Sequence, residues 1–317
     1  TVTYDAVTGT SDSATITLNS NTAATTFGLI TAAGIETLTI DSNGGKDATY
    51  SVSAADATTV NLKASAASGG TGSITAAKAT AVNITSADDF TLTDTNLAKA
   101  FTYTIDSTLA KTSSAAASTV TATDITPTVT TGSDTLKFTV KGAGTATIDS
   151  DANWGVQTST NADTVEVDAS SNSGGVTVNF GGYTTNNARY NKFTGGSGND
   201  EAQILQAGLD QYDTISLGTG TDTVTTTASY SSNAASNLFY TDSLAAAKQP
   251  TFSGVEIAKV VLADSGAAST VTATSASFAS TLQLDGDLEN AKATVSSIPA
   301  TVTTIKLGKT LDISDDS

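Results

Sequence analysis

Glycine and aspartate come together in the middle of this chain with a spacing that suits a hard cation. The run Gly195-Gly196-Ser197-Gly198-Asn199-Asp200 is followed by Leu217-Gly218-Thr219-Gly220-Thr221-Asp222-Thr223-Val224-Thr225, which keeps the second glycine, the aspartate and the apolar residue of the strand that follows. Gly196, Gly198, Gly218 and Gly220 let the loops turn tightly and aim carbonyl oxygens inward, while Asp200 and Asp222 supply carboxylates. Calcium takes several oxygen ligands in flexible geometry and magnesium is more exacting, so the expected ion is Ca2+. Asn199, Asp210 and Asp213 are additional candidate ligands. Weaker echoes, each an Asp, one residue and an apolar residue, add Asp134 and Asp163 as candidates. The bland alternative is a pair of glycine-rich turns with Asp as a local cap. On the calcium reading the ion is a folding cofactor that also relieves self-repulsion, and no catalysis is implied.

Other chemistry is hard to build from this composition. There is no His and no Cys, which excludes Ser-His-Asp and Cys-His catalysis, His-bearing metal centres, disulfides and thiolate sites. Arg189 is the only arginine, with no basic cluster beside it. The adjacent Asp88 and Asp89 would point to opposite faces of a strand, so they read as a solvated turn and not as an acid–base pair. Lys and Arg number 14 against 31 Asp and Glu, a net charge of −17, and only five of the acids are Glu. That balance argues against nucleic acid and against a basic lipid anchor. Aspartate in place of glutamate suits turns and cation sites. No apolar stretch is long enough to span a bilayer, so no membrane insertion is expected. The chain starts at Thr1 without a visible signal peptide, as a processed product, a fragment, or a protein whose export signal lies elsewhere would.

The elements that must carry these loops are strands. Thr, Ala and Ser dominate, aromatics are only 6%, Met is absent and Trp154 stands alone, so the core is thin. Branching at Cβ in Thr, Val and Ile favours strand. Short alternating runs end at Leu18, Ile40, Leu62, Ile84 and Ile105, in steps of 22, 22, 22 and 21 residues. The pattern returns at Val260–Leu262, Leu282–Leu284 and Thr304–Leu307, with lesser strands around Val52, Ile74 and Leu92. This predicts an all-β fold, a β-solenoid with coils of about 22 residues and a short calcium-binding β-roll segment. A set of Ig-like sandwiches is the competing architecture. Asn61 and Asn83 hold matching positions and are expected to stack as an interior ladder; Asn96–Phe101 and Ser243–Lys248 are expected to make single helical turns. Three stretches follow: solenoid repeats over 1–125, the Gly/Asp-rich region over 126–230, and further repeats over 231–317, continuous with the rest or not.

Gly195–Asp200 and Leu217–Thr225 together resemble the calcium nonapeptides of the RTX (repeats-in-toxin) family. Gly34-Ile35-Glu36-Thr37-Leu38-Thr39-Ile40 and Gly254-Val255-Glu256-Ile257-Ala258-Lys259-Val260 are similar to elements of RTX-type surface-layer proteins of Gram-negative bacteria. The resemblance implies type I secretion by an uncleaved C-terminal signal, folding on extracellular Ca2+, and self-assembly into a cell-surface lattice, with cell-surface polysaccharide as an anchoring partner. Few nonapeptides are intact, so a long β-roll is not expected. Two other classes stay open. Thr-x-Thr pairs (Thr15/Thr17, Thr37/Thr39, Thr91/Thr93, Thr102/Thr104) could form the hydroxyl array of an adhesin or ice-binding module, but they read better as ordinary outward-facing strand residues, since an ice plane would need a more regular register along the whole solenoid. A β-helical polysaccharide-degrading enzyme would need a basic and acidic cleft that the sequence does not offer. Tyr183, Tyr190 and Phe193 near Arg189 read either as a subunit contact or as packing beside the glycine loops.

Overall fold

Alternation of apolar with Thr, Ser and Asn residues sends one row of each strand inward and the other outward. In strand Thr59–Ala64, Val60, Leu62 and Ala64 are buried, whereas Thr59 and Asn61 are half-buried and Lys63 is exposed. One row per strand cannot bury itself alone, so strands stack into coils whose inner rows meet across a shared interior. The computed structural model describes residues 2–4, 8–64, 70–96, 102–108, 119–123, 135–149, 163–180, 189–205, 209, 211–228, 236–237, 239, 249–262, 269–286 and 293–308. It is an all-β solenoid of parallel strands with a repeat of roughly 24 residues.

Among the described residues the strands form two long sheets of fourteen and ten strands and a small one of three. The chain alternates between the long sheets: Thr37–Ser42 and Thr59–Ala64 are neighbours in the ten-stranded sheet, and Ala48–Ser53 between them belongs to the fourteen-stranded sheet. The fourteen-stranded sheet runs from Val2–Tyr4 to Thr304–Leu307, passing through the Gly/Asp-rich region without a break in strand order. The ten-stranded sheet ends at Thr251–Ser253. Near that end, Phe278 stacks on Phe252 with ring centroids 4.2 Å apart, and Ser236–Asn237, Ser269–Thr272 and Ala293–Ser296 form the third sheet.

The 22-residue interval read from the sequence is the spacing of the most regular coils: Leu38 lies beside Val60, and Val60 beside Val82. The repeat lengthens where the chain makes an excursion, as between Thr102 and its partner Lys137. Inner columns from both long sheets build the core. In the ten-stranded sheet Leu38, Val60, Val82, Tyr103, Phe138, Val167, Phe193 and Ile215 follow one another in register, with Tyr103 and Phe138 stacked at 4.9 Å. Each fully buried side chain of this kind stabilises by about 1.5–3 kcal/mol. An ion pair on the outer face, such as Lys141–Asp106 at 2.8 Å, contributes less than about 1 kcal/mol, so the inner columns dominate.

Two expectations meet a different arrangement, and a third lies largely outside the described residues. The C-terminal runs Val260–Leu262, Leu282–Leu284 and Thr304–Leu307 stack on one another, but in the fourteen-stranded sheet, whereas the N-terminal runs lie in the ten-stranded one. The asparagine ladder forms, with Asn83 Nδ2 donating to Asn61 Oδ1 at 2.9 Å and Asn61 Nδ2 to Thr39 Oγ1 at 3.2 Å. It lies on the outer face, because Val60 and Leu62 take the inner row. Asn96 ends strand Phe90–Asn96, and residues 97–101 and 243–248 lie outside the described residues. Asp88 and Asp89 occupy the bend between two strands, as expected. No helix among the described residues is long and apolar enough to cross a membrane.

Candidate functional site

The two glycine loops stack directly on each other. Each leads from a strand of the ten-stranded sheet into a strand of the fourteen-stranded sheet: Arg189–Thr194 into Glu201–Leu205, and Thr214–Ser216 into Thr223–Ala228. Ser197 N–H donates to Asn172 O and Thr219 N–H to Gly196 O, both at 3.0 Å, so backbone rests on backbone from coil to coil. A methyl group on Gly196 would run into the carbonyl oxygen of Asn172, and one on Gly218, whose φ is 86°, into that of Gly196. That is why these positions are glycine. Gly198 and Gly220 stack in the same way beside them.

The acids at the ends of these loops form a column. Asp200 is buried; its Oδ1 accepts Val176 N–H at 2.7 Å from the coil above, and its Oδ2 accepts Gly196 N–H at 2.8 Å. Asp222 is buried directly below, and its Oδ1 accepts Asp200 N–H at 2.8 Å. Glu256 follows, with Oε2 accepting Asp222 N–H at 2.8 Å. Each acid thus caps the amide that opens a strand one coil above it, a donor whose burial without a partner would cost about 1–3 kcal/mol. Asp222 Oδ2 is buried and has no hydrogen-bond partner. Burial, with only partial relief from the Asp200 amide and added repulsion from Asp200 and Glu256, pushes the Asp222 carboxyl up to about 6. Burial likewise raises Asp200, against the lowering effect of the Gly196 and Val176 amides.

The other sequence candidates are distributed around this corner and beyond it. Asn199 is exposed and accepts Thr221 N–H at 2.9 Å, clamping one loop to the next from outside. Asp213 is buried at the opposite end of strand Thr214–Ser216, where its Oδ1 accepts Asn191 N–H at 2.8 Å and Nδ2–H at 3.0 Å, so it is not part of the Asp200–Asp222 column. Asp163 opens strand Asp163–Asn172 opposite Arg189; its side chain, and all of Asp134 and Asp210, lie outside the described residues. Phe193 is buried and packs on Phe180 at 6.4 Å, while Tyr190 meets Tyr212 at 4.5 Å; Tyr183 and the Arg189 side chain are outside the described residues. Among the described residues no three acidic side chains are grouped to hold one metal ion.

Sequence reasoning missed Glu256 as a member of the column, and with it a second corner of the same design. Glu36 Oε2 accepts Asp12 N–H at 2.8 Å, and Asp12 Oδ2 is buried without a partner, as Asp222 Oδ2 is. Below Glu36, the hydroxyl of Thr58 donates to Glu36 O and that of Thr80 to Thr58 O. Below Glu256, Ser280 and Thr303 repeat the pattern. The signal was present in the sequence as Gly34-Ile35-Glu36 and Gly254-Val255-Glu256, each with its glycine at positive φ (70° and 63°) just before a strand. No protein-family model, curated protein or solved structure matches this chain.

Proposed function

We propose that this chain is a structural protein of a secreted, calcium-dependent surface layer, in which Ca2+ at Asp222 completes folding and licenses assembly of copies into a lattice. The observation that carries this reading is Asp222 Oδ2, a buried carboxylate oxygen with no hydrogen-bond partner, on a residue linked through backbone amides to Asp200 above and Glu256 below. Calcium is the ion whose chemistry answers that arrangement, since it accepts carboxylate and backbone oxygens together in irregular geometry. Asp222 would hold it, with Glu256 and the loop carbonyls as further oxygen donors. When bound, the ion supplies positive charge to an acidic column in a chain of net charge −17. The chain's own residues do the structural work: the glycines permit close stacking, and the acids cap the amides of neighbouring coils. A solenoid with no His and no Cys, and with one Arg, suits a load-bearing role better than a catalytic one.

The test is a calcium titration of chelator-treated protein, followed by circular dichroism and light scattering, with magnesium as control. Calcium is expected to raise β content and thermal stability and to drive growth into sheets. Asp222→Asn is expected to lose the response while retaining an acceptor for the Asp200 amide. Protein that is folded, monomeric and indifferent to calcium would overturn the reading.

A further inference from the structure

The outward row of the fourteen-stranded sheet places Thr49, Thr71, Thr91, Thr121, Thr147 and Thr177 side by side on successive strands, each in direct register with the next. A parallel row carries Ser51, Ser73, Thr93 and Thr123. From Ala48–Ser53 to Thr119–Thr123 these two rows hold hydroxyl residues alone, and their described side chains are exposed or half-buried. The aromatic residues of the same strands, Tyr50 and Phe90, are buried in the core. The outer face of the ten-stranded sheet carries ion pairs such as Lys137–Glu166 and Lys141–Asp106, and the fourteen-stranded sheet carries one further along, at Lys259–Asp285, away from this array.

Parallel stacking spaces the hydroxyls about 4.8 Å apart across strands and about 6.6 Å apart along them. The threonine row, five steps long, therefore extends over about 24 Å. Branching at Cβ restricts χ1, so each methyl and hydroxyl is held in place before any partner arrives and little side-chain entropy is lost on contact. A partner that uses the whole array must itself repeat in two dimensions. An ionic mineral would call for carboxylates on the face, and a sugar chain for aromatic platforms; from Ala48–Ser53 to Thr119–Thr123 these two rows offer neither, and Glu201 follows only beyond Thr177 at the end of the threonine row. Ordered water repeats, is uncharged, and accepts hydrogen bonds at every site while tolerating the methyl groups between them.

We infer that this face binds ice. The inference does not depend on the calcium corner, because none of its residues belongs to the acidic column. The test follows the 317-residue chain in slowly growing ice and in a thermal-hysteresis measurement. The double variant Thr91→Tyr/Thr121→Tyr is compared with Thr39→Tyr on the other sheet, with fold checked by circular dichroism. Wild type and Thr39→Tyr are expected to enter the ice and to hold back its growth, and the double variant to fall at least ten-fold in incorporation. Should tyrosine disturb the fold, Thr91→Lys/Thr121→Lys is expected to give the same loss. Exclusion of the wild type from ice, or equal incorporation of the array variants, overturns the inference. So does retention on insoluble chitin or cellulose that the same variants abolish without any ice activity, since the face would then belong to a glycan.

Discussion

The corner at Asp222 and the corner at Asp12 are built from the same contacts, yet they open strands of opposite sheets. In both, an aspartate amide is capped by a glutamate one coil below, and a column of hydroxyl-to-carbonyl bonds continues downward. The two glutamates follow the same local sequence, a glycine at positive φ and a buried Ile35 or Val255. The device is therefore a property of the turn and is indifferent to which sheet it feeds. What distinguishes the second corner is an addition: Asp200 sits above Asp222, within glycine loops that stack without side chains, and Asp222 is fully buried whereas Asp12 is half-exposed.

The largest effect that would test this distinction comes from truncating the caps. Asp200→Ala strands the buried amide of Val176, at an expected cost of about 1–3 kcal/mol, and uncovers the half-buried amide of Gly196 as well. Glu36→Ala uncovers only the amide of half-exposed Asp12 and is expected to cost less than about 1 kcal/mol. Thermal unfolding of metal-free protein measures both, and equal losses would mean that the two corners do not differ. Next in size is the stacking itself. Gly196→Ala forces a methyl onto the Asn172 carbonyl and is expected to destabilise by about 1–3 kcal/mol, whereas Gly45→Ala, with open space around it, is expected to be neutral.

The last effect is the dependence on pH. The Asp222 carboxyl is raised to about 6 from an ordinary value near 4. Between those values the native protein holds a proton that the unfolded chain has released, so metal-free stability falls as pH rises through this window and levels off above it. Asp222→Asn is expected to flatten that slope. A slope that survives in Asp222→Asn assigns it to other groups, Asp200 first.

Coil spacing was legible in the sequence because a solenoid repeats its inner row at a fixed interval, and the 22-residue steps of Ile40, Leu62 and Ile84 became real register. The sheet that each run would join was not legible. A six-residue alternation looks the same on either side of the solenoid, so the C-terminal runs could not be told from the N-terminal ones. Asp200 and Asp222 were legible as a vertical pair, 22 residues apart and in contact. Their hydrogen-bonding duty was not, because Gly-x-Gly-x-Asp reads alike whether the carboxylate faces a cation or a neighbouring amide. Asp213 was misgrouped for a related reason: three strand residues put it at the far end of the turn, and sequence distance does not record corners.

The link between Asp222 and Glu256 crosses 34 residues, and that between Asp200 and Asp222 crosses 22, yet both close at 2.8 Å. Distance along the axis is thus set by backbone pairing and not by how much chain each turn consumes. The molecule behaves as a ruler whose graduations, about 4.8 Å apart, stay fixed while material is added at the rim. An insertion placed in such an excursion would widen the rod locally and leave every mark above and below at its former height. Peripheral loops can therefore diverge freely while whatever is displayed on a flat side keeps its pitch.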